Sequence, residues 1–391
     1  MSGHPLRLSA ADILPADPEA LLVGRVWSDK QGGPYPVLVR AGEVFDLSAL
    51  SPTVAGLLER PDPARDLRGT FPALGSLDGF LDGGGDRGSL GRILAPCDLQ
   101  AIKAAGVTFA GSMIERVIEE RAKGEPGRAD AIRAELAAIL GGNLRGVVPG
   151  SEEAAQIKAH LQKNGMWSQY LEVGIGPDAE VFTKGQPMSA VGCGADIGVH
   201  RASRWNNPEP EVVLAVNSAG RICGATLGND VNLRDVEGRS ALLLGKAKDN
   251  NGAAAIGPFL RLFDEAFGLA RVSELQVSLD VAGEDGFVLS GSSNMAEISR
   301  PPAEIVAQTC NRSHQYPDGF MLFLGTMFAP TKDRDGAGQG FTHHTGDRVE
   351  IASAPLGRLV NIVRLCDEIE PWTFGARALM ENLASRGMLG S

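Results

Sequence analysis

The chain has 391 residues, of which 43% are hydrophobic and 22% charged, a balance that supports a packed core and excludes a disordered or collagen-like chain. Its net charge of −11 has the wrong sign for holding phosphate backbones or an anionic membrane surface, so neither nucleic acid nor membrane is expected as a partner. Fifty glycines beside only 5% aromatic residues favour tight turns and short strands over long helices.

Asp12, Asp17 and Glu19 interrupt any apolar leader, which makes the cytoplasm the expected location. Residues 20–50 alternate β-type runs with Gly/Pro turns and read as a small antiparallel module. The stretch 60–90 is rich in Pro, Gly and Asp and reads as connection. This gives an expected division into an N-terminal β domain with linker, 1–95, and a larger domain, 96–391. Gly83 to Gly88 formally match GxGxxG, but a dinucleotide loop must follow a strand and open a helix, so a polar linker is the better reading. From Met113 to Leu140 the apolar period becomes helical, broken at Pro126-Gly127, with Ile132, Leu136, Ile139 and Leu140 on one face. This is an insertion over about 112–145. Beyond about 170, short strands follow one another without regular strand–helix alternation, so an α+β, mostly-β body is expected rather than a doubly wound sheet. The apolar run from Gly319 to Pro330 is too short to span a membrane and reads as a buried strand. The five cysteines are scattered and lack CxxC spacing, which indicates neither disulfides nor a zinc site. His343-His344 stand before a strand, and adjacent histidines rarely aim at one ion, so they read as structural.

The chemistry concentrates near residue 210. In an extended chain Glu209 and Glu211 point to one face, where two like charges repel unless a cation lies between them. The strand turns at Asn217 to Gly220 and returns as ICGATLGND. Antiparallel pairing about that turn places Glu211 opposite Leu227 and Glu209 opposite Asn229, and brings Asp230 beside the glutamates. Oxygen ligands alone, with no His or Cys nearby, favour Mg²⁺ or Mn²⁺, and three protein ligands leave positions for water and substrate. The alternative is a set of ordinary surface acids beside a turn.

The ordered blocks PEPE, GNDVNLRDVEG, AKDNNGAAAIGPF, PDGFMLFLGTMFAP and GDRVEIASAPLGRLVNIV resemble the fumarylacetoacetate hydrolase superfamily over roughly residues 170–370. Within it the chain is most similar to the branch of 2-keto-3-deoxypentonate dehydratases. The resemblance implies a mixed β roll with a helical lid, a homodimer or homotetramer, and Glu209, Glu211 and Asp230 as ligands to a divalent cation. It also implies an active-site role for Lys248 and substrate contacts from Lys184 and Thr326. Ser112 and Arg116 on the lid and Glu237 after the metal aspartate complete the expected substrate-binding set, a carboxylate at 237 suiting hydroxyl recognition. The family's hydrolases carry a His and a Glu on the lid to activate water, whereas GVTFAGSMIERVIEE holds no histidine. That departure favours elimination over carbon–carbon hydrolysis.

The implied reaction removes a C3 proton and then the C4 hydroxyl of a 2-keto-3-deoxypentonate derived from D-xylonate or D-arabinonate, giving 2,5-dioxopentanoate. Lys248 is the expected base and Glu115 the expected acid, roles that are interchangeable at this stage. The bland reading of Glu115 is a solvated helix face on which Arg116 pairs with Glu120. Gly106, Gly111 and Gly124 around the lid would permit closure. Competing readings are an acylpyruvate-type hydrolase, an oxaloacetate decarboxylase, and a non-catalytic protein that binds metal and keto acid.

Overall fold

The computed structural model describes residues 6–81, 90–123, 125–129, 131–132, 134, 147–163, 165, 167–328 and 330–389. The Gly83–Gly88 loop, Gly124 and most of the second half of the helical insertion lie outside these, as do the side chains of Ser112 and its neighbours 110 and 111. In chain order the strands are β1 (Leu22–Ser28), β2 (Gly33–Arg40), β3 (Glu43–Asp46), β4 (Ala73–Ser76), β5 (Arg92–Leu94) and β6 (Ala101–Gly106). There follow β7 (Glu180–Gly185), β8 (Asp196–Val199), β9 (Asn206–Asn207), β10 (Pro210–Val216), β11 (Ile222–Asp230) and β12 (Asn232–Leu233). The last are β13 (Ala254–Leu262), β14 (Gln276–Ala282), β15 (Val288–Asn294), β16 (Phe320–Phe323), β17 (Arg348–Ser353) and β18 (Gly357–Leu365).

An eleven-stranded sheet runs β4-β3-β2-β1-β13-β11-β10-β16-β6-β7, with β5 against β1. A five-stranded sheet runs β15-β14-β17-β18-β8, and β12 and β9 form a two-stranded ribbon. The mixed, mostly-β body expected from the sequence is what forms. β10 and β13 are buried along their whole length, as central strands covered on both faces must be. Alternation then sorts their side chains. Val212, Leu214 and Val216 join Leu279, Ile351 and Leu359 of the smaller sheet in one core. Val213 and Ala215 face the opposite way, into a second core with Val54, Leu57 and Leu58. β1 pairs with β13 through Leu22↔Arg261 and Val23↔Leu260, so the N-terminal strands continue the sheet that carries the site.

A third apolar cluster belongs to the helical insertion. Met113, Val117 and Ile118 of the lid helix (Ala110–Ala122) pack with Leu161 of the Glu152–Lys163 helix and with Tyr170, Leu171 and Ile175 of the Gln169–Ile175 helix. The lid helix ends at Lys123, whose φ of 54° is left-handed, and the expected break follows as a single 3₁₀ turn at Pro126–Arg128. Among the described residues of the apolar run 319–330, Phe320–Phe323 alone is strand. The chain leaves β16 at Gly325, whose φ of 99° only glycine tolerates readily.

Candidate active site

β10 and β11 form the predicted hairpin with a corrected register. Glu211 lies opposite Gly228, not Leu227, and Pro210 opposite Asn229. The reason is a β-bulge near the turn: Ala215 pairs with Gly224 and Val216 with Ile222, so Cys223 is an extra residue that displaces every later pair by one. The convergence survives because Glu209, just before β10, and Asp230, at the end of β11, meet where the Asp230 amide donates to the Glu209 carbonyl at 3.0 Å. One oxygen from each of Glu209, Glu211 and Asp230 lies within 4.8 Å of the others, and all three residues are buried. The reading as surface acids is thereby excluded.

Two lysines enter this cluster. Lys248 Nζ lies 2.6 Å from Glu209 Oε2 and 3.0 Å from Asp230 Oδ2. Lys184 Nζ lies 2.8 Å from Asp230 Oδ1 and donates to the carbonyls of Val231 and Lys248. Its approach to Asp230 is an ion pair without hydrogen-bond alignment, and Oδ1 is left with no hydrogen-bond partner. Burial pulls the Lys248 ammonium down, but Asp230 and Glu209 more than reverse this and hold it charged. Lys184 is lowered, burial being the largest cause. Burial would raise Glu209, yet Arg116 and then Lys248 bring its carboxyl down to about 2. Glu211 is driven well above the usual carboxylate range by burial and then by Asp230 and Glu209; its carboxyl accepts from the Gly325 amide at 2.7 Å. A buried three-oxygen set with one acid pushed toward its neutral form and one oxygen lacking a hydrogen bond is a set that could hold a hard divalent cation. The residues present fit Mg²⁺.

The lid helix does not leave Arg116 and Glu115 free for a substrate. The Arg116 guanidinium is shared among Glu119 at 2.9 Å, Glu237 at 3.0 Å and Glu209. Glu237, expected to read a hydroxyl, is thus Arg116's partner, and burial raises its carboxyl against that attraction. Glu115 Oε2 stands 3.4 Å from Arg234 Nη2. The anticipated Arg116–Glu120 pair does not form among the described residues, because Glu120 instead accepts from Ser168 Oγ at 2.6 Å. Thr326 is buried next to Gly325, whose amide reaches Glu211, and its hydroxyl donates to the Phe328 carbonyl at 3.2 Å.

Sequence reasoning passed over Glu180. It opens β7, two residues before Phe182, whose ring lies 5.6 Å from Lys248 Nζ, and four before Lys184. Burial, and next the charge of Glu237, push its carboxyl up to about 7. Space for it is made by Gly106, where a Cβ would sit 2.0 Å from Glu180 Oε2. This is a tighter requirement on that glycine than lid flexibility. The available signal was the block EVFTKG, in which Glu180 and Phe182 share a face. Arg234 and Glu119 were missed as well. A cavity of about 550 Å³ lined by Trp27, Arg92, Met188 and Trp372 opens elsewhere, and none of the metal-set carboxylates lines it. Volume alone would have pointed away from the chemistry.

Residues 154–364 match the fumarylacetoacetate (FAA) hydrolase C-terminal family. The chain is 32% identical over 185 residues to a 2-dehydro-3-deoxy-D-arabinonate dehydratase of Saccharolobus solfataricus, covering 47% of this chain and 58% of that protein. It is 30% identical over 206 residues to a probable 2-keto-3-deoxyxylonate dehydratase of Haloferax volcanii, covering 53% of this chain and 67% of that protein. A solved 2-keto-3-deoxy-D-arabinonate dehydratase complexed with magnesium and 2,5-dioxopentanoate shares the fold, with TM-score 0.62 and 22% identity over 88% of this chain and 99% of that one. With a family match spanning more than half its length, and with the carboxylate cluster inside the matched segment, this chain belongs to the FAA hydrolase family.

Proposed function

We propose that the protein dehydrates a 2-keto-3-deoxypentonate to 2,5-dioxopentanoate with Mg²⁺ as cofactor, in the non-phosphorylative breakdown of pentose sugar acids. The observation that carries this reading is the buried Glu209/Glu211/Asp230 set bracketed by Lys248 and Lys184 under a lid helix that contains no histidine. The names of the two curated relatives support the substrate class. Glu209, Glu211 and Asp230 would hold the divalent cation, which would supply Lewis-acid polarisation of the keto acid and neutralise carboxylate charge that otherwise keeps Lys248 protonated. Lys248, as the neutral amine that such neutralisation would leave, is the candidate to take the proton from C3. Glu180, poised near neutrality and electrostatically linked to Lys248, gives a proton to the departing C4 hydroxyl. Glu115 is relieved of that role by its pairing with Arg234. Lys184 holds Asp230 in place, and Thr326 and Ser112 remain the candidate substrate contacts.

Purified protein is expected to form 2,5-dioxopentanoate from 2-keto-3-deoxy-D-pentonate with Mg²⁺ and to stop when a chelator is in excess. Absence of product from folded, metal-loaded protein, with turnover of an acylpyruvate or oxaloacetate instead, would move the reading to another reaction of the family. Glu180→Gln is expected to lower turnover by about 10²–10⁴-fold. Because Glu180 must carry its proton, wild-type turnover should fall as pH rises through about 7, and the variant should lose that limb. A homodimer or homotetramer, also part of the reading, is measured by light scattering.

A further inference from the structure

The insertion and the body meet largely through charge. The apolar stripe of the lid helix, Met113, Val117 and Ile118, packs with the two helices that follow, and Trp205 is the residue of the body that joins this small core. What the lid helix turns to the body is Glu115, Arg116 and Glu119, and what it meets there is Arg234 and Glu237 of the short helix Arg234–Glu237, together with Glu209. The exchange is reciprocal. The lid contributes Arg116 to Glu209 and Glu237 of the body, and the body contributes Arg234 to Glu119 at 2.7 Å and Glu115 at 3.4 Å of the lid. Arg234 is buried, its guanidinium lies 4.4 Å from the Trp205 ring centroid, and Nη1 donates to the Pro330 carbonyl at 3.2 Å.

The two arginines differ in one respect. Arg116 touches a metal-set carboxylate, and Arg234 touches none. An apolar interface that parts exposes hydrocarbon, whereas ion pairs that part are rehydrated, so an intact charged seam adds little net attraction relative to water while fixing geometry sharply. Removing one partner alone strands a buried charge. Strain is located at the entry to the helix, where buried, β-branched Val107 holds φ 58° between β6 and the lid. Thr108 beside it is pinned by its hydroxyl to the Leu324 carbonyl at 2.6 Å.

We propose that Arg234 and Glu119 are positioning residues that latch the lid helix onto the body, setting where Arg116 meets Glu209 without themselves contacting metal or substrate. The kinetic consequence rests on the dehydratase reading; the structural one does not.

Hydrogen exchange of the full-length protein, compared between wild type and Arg234→Lys, tests the latch. Lysine keeps the charge and loses the fork. Exchange in the lid helix is expected to rise by about tenfold or more while β10 and β11 stay as in wild type. KM for the keto acid should rise by about fivefold or more, through loss of orientation. Mn²⁺ affinity measured calorimetrically without substrate should fall, by no more than the roughly 10–100-fold that disturbing a residue behind a metal ligand costs, because Arg116, which contacts Glu209, is displaced. The double variant Glu119→Gln/Arg234→Gln, which removes both charges of the 2.7 Å pair and takes Arg234 only from the partly exposed Glu115, should show the same localised increase. Lid exchange at the wild-type level in both variants overturns the proposal. So does an equal rise in β10 and β11, or failure of both variants to fold, since Arg234 would then serve the fold as a whole. If the protein binds Mn²⁺ but dehydrates nothing, the exchange result still decides the latch, and only the substrate reading fails.

Discussion

Two polar clusters in this molecule, one half-exposed around a buried Asp347 and one almost wholly buried, use the same kinds of residue and come out differently. In the first, Arg334 grips Asp347 at 2.6 and 2.8 Å and Asp285 at 3.1 Å, while His343 Nδ1 lies 3.2 Å from Asp347 and His344 Nε2 2.9 Å from Asp335. Each acid there is hydrogen-bonded to a base, and Asp285 and Asp335 also keep contact with water. Burial would raise the Asp347 carboxyl, but Arg334 and His343 hold it down to about 2, and burial keeps His343 neutral. In the second, Glu180, Glu209, Glu211, Asp230 and Glu237 outnumber Lys184, Lys248 and Arg116. There burial lifts Glu180, Glu211 and Glu237 instead. A buried surplus of carboxylate asks for a proton or a cation, and a balanced set asks for nothing. The paired histidines that draw the eye in the sequence belong to the balanced cluster.

The largest effects should come from the surplus cluster. Asp230→Asn or Glu211→Gln is expected to weaken Mn²⁺ binding by about 100-fold or more, since even residues behind metal ligands cost about 10–100-fold, with turnover falling alongside. Calorimetry and product assay measure the two. Next, Asp347→Asn should cost about 3 kcal/mol of stability in a urea titration by leaving Arg334 under-paired, while Mn²⁺ affinity stays within about twofold of wild type. A large loss of metal affinity there would erase the distinction between the clusters.

The pH dependence of stability in chelator sharpens it further, because the signs are opposite. Glu211 has a raised carboxyl, so it destabilises the folded chain increasingly as pH rises above 4.5. Asp347 has a depressed one, so its contribution is present above about 3.8 and is lost as pH falls toward 2. Glu211→Gln should flatten the first limb and leave the second. The smallest effect is expected from Thr326→Val, which removes one hydrogen bond to Phe328, worth about 1 kcal/mol, and tests substrate contact through KM.

Much of this protein follows from its sequence. The alternation in VVLAV, the turn at Asn217 to Gly220 and the spacing of Glu209 and Glu211 suffice for a β-hairpin that ends in carboxylates, because period-two geometry and like-charge repulsion are local. The helical period after Met113 and its break at Pro126-Gly127 are local too. Register was not, since nothing in ICGATLGND announces that Cys223 bulges out. Nor was the pairing of Arg116, Arg234, Glu119 and Glu237, residues up to 121 positions apart, which meet only because the insertion folds back on the body. Glu180 is the clearest case: its sequence neighbours are ordinary, and its near-neutral carboxyl is created by burial and by Glu237 from another part of the chain. Residue type and short-range spacing determined which groups were available for chemistry. Tertiary structure decided which of them lost water, gained a partner or kept a proton, because desolvation and charge pairing depend on distance in space rather than along the chain.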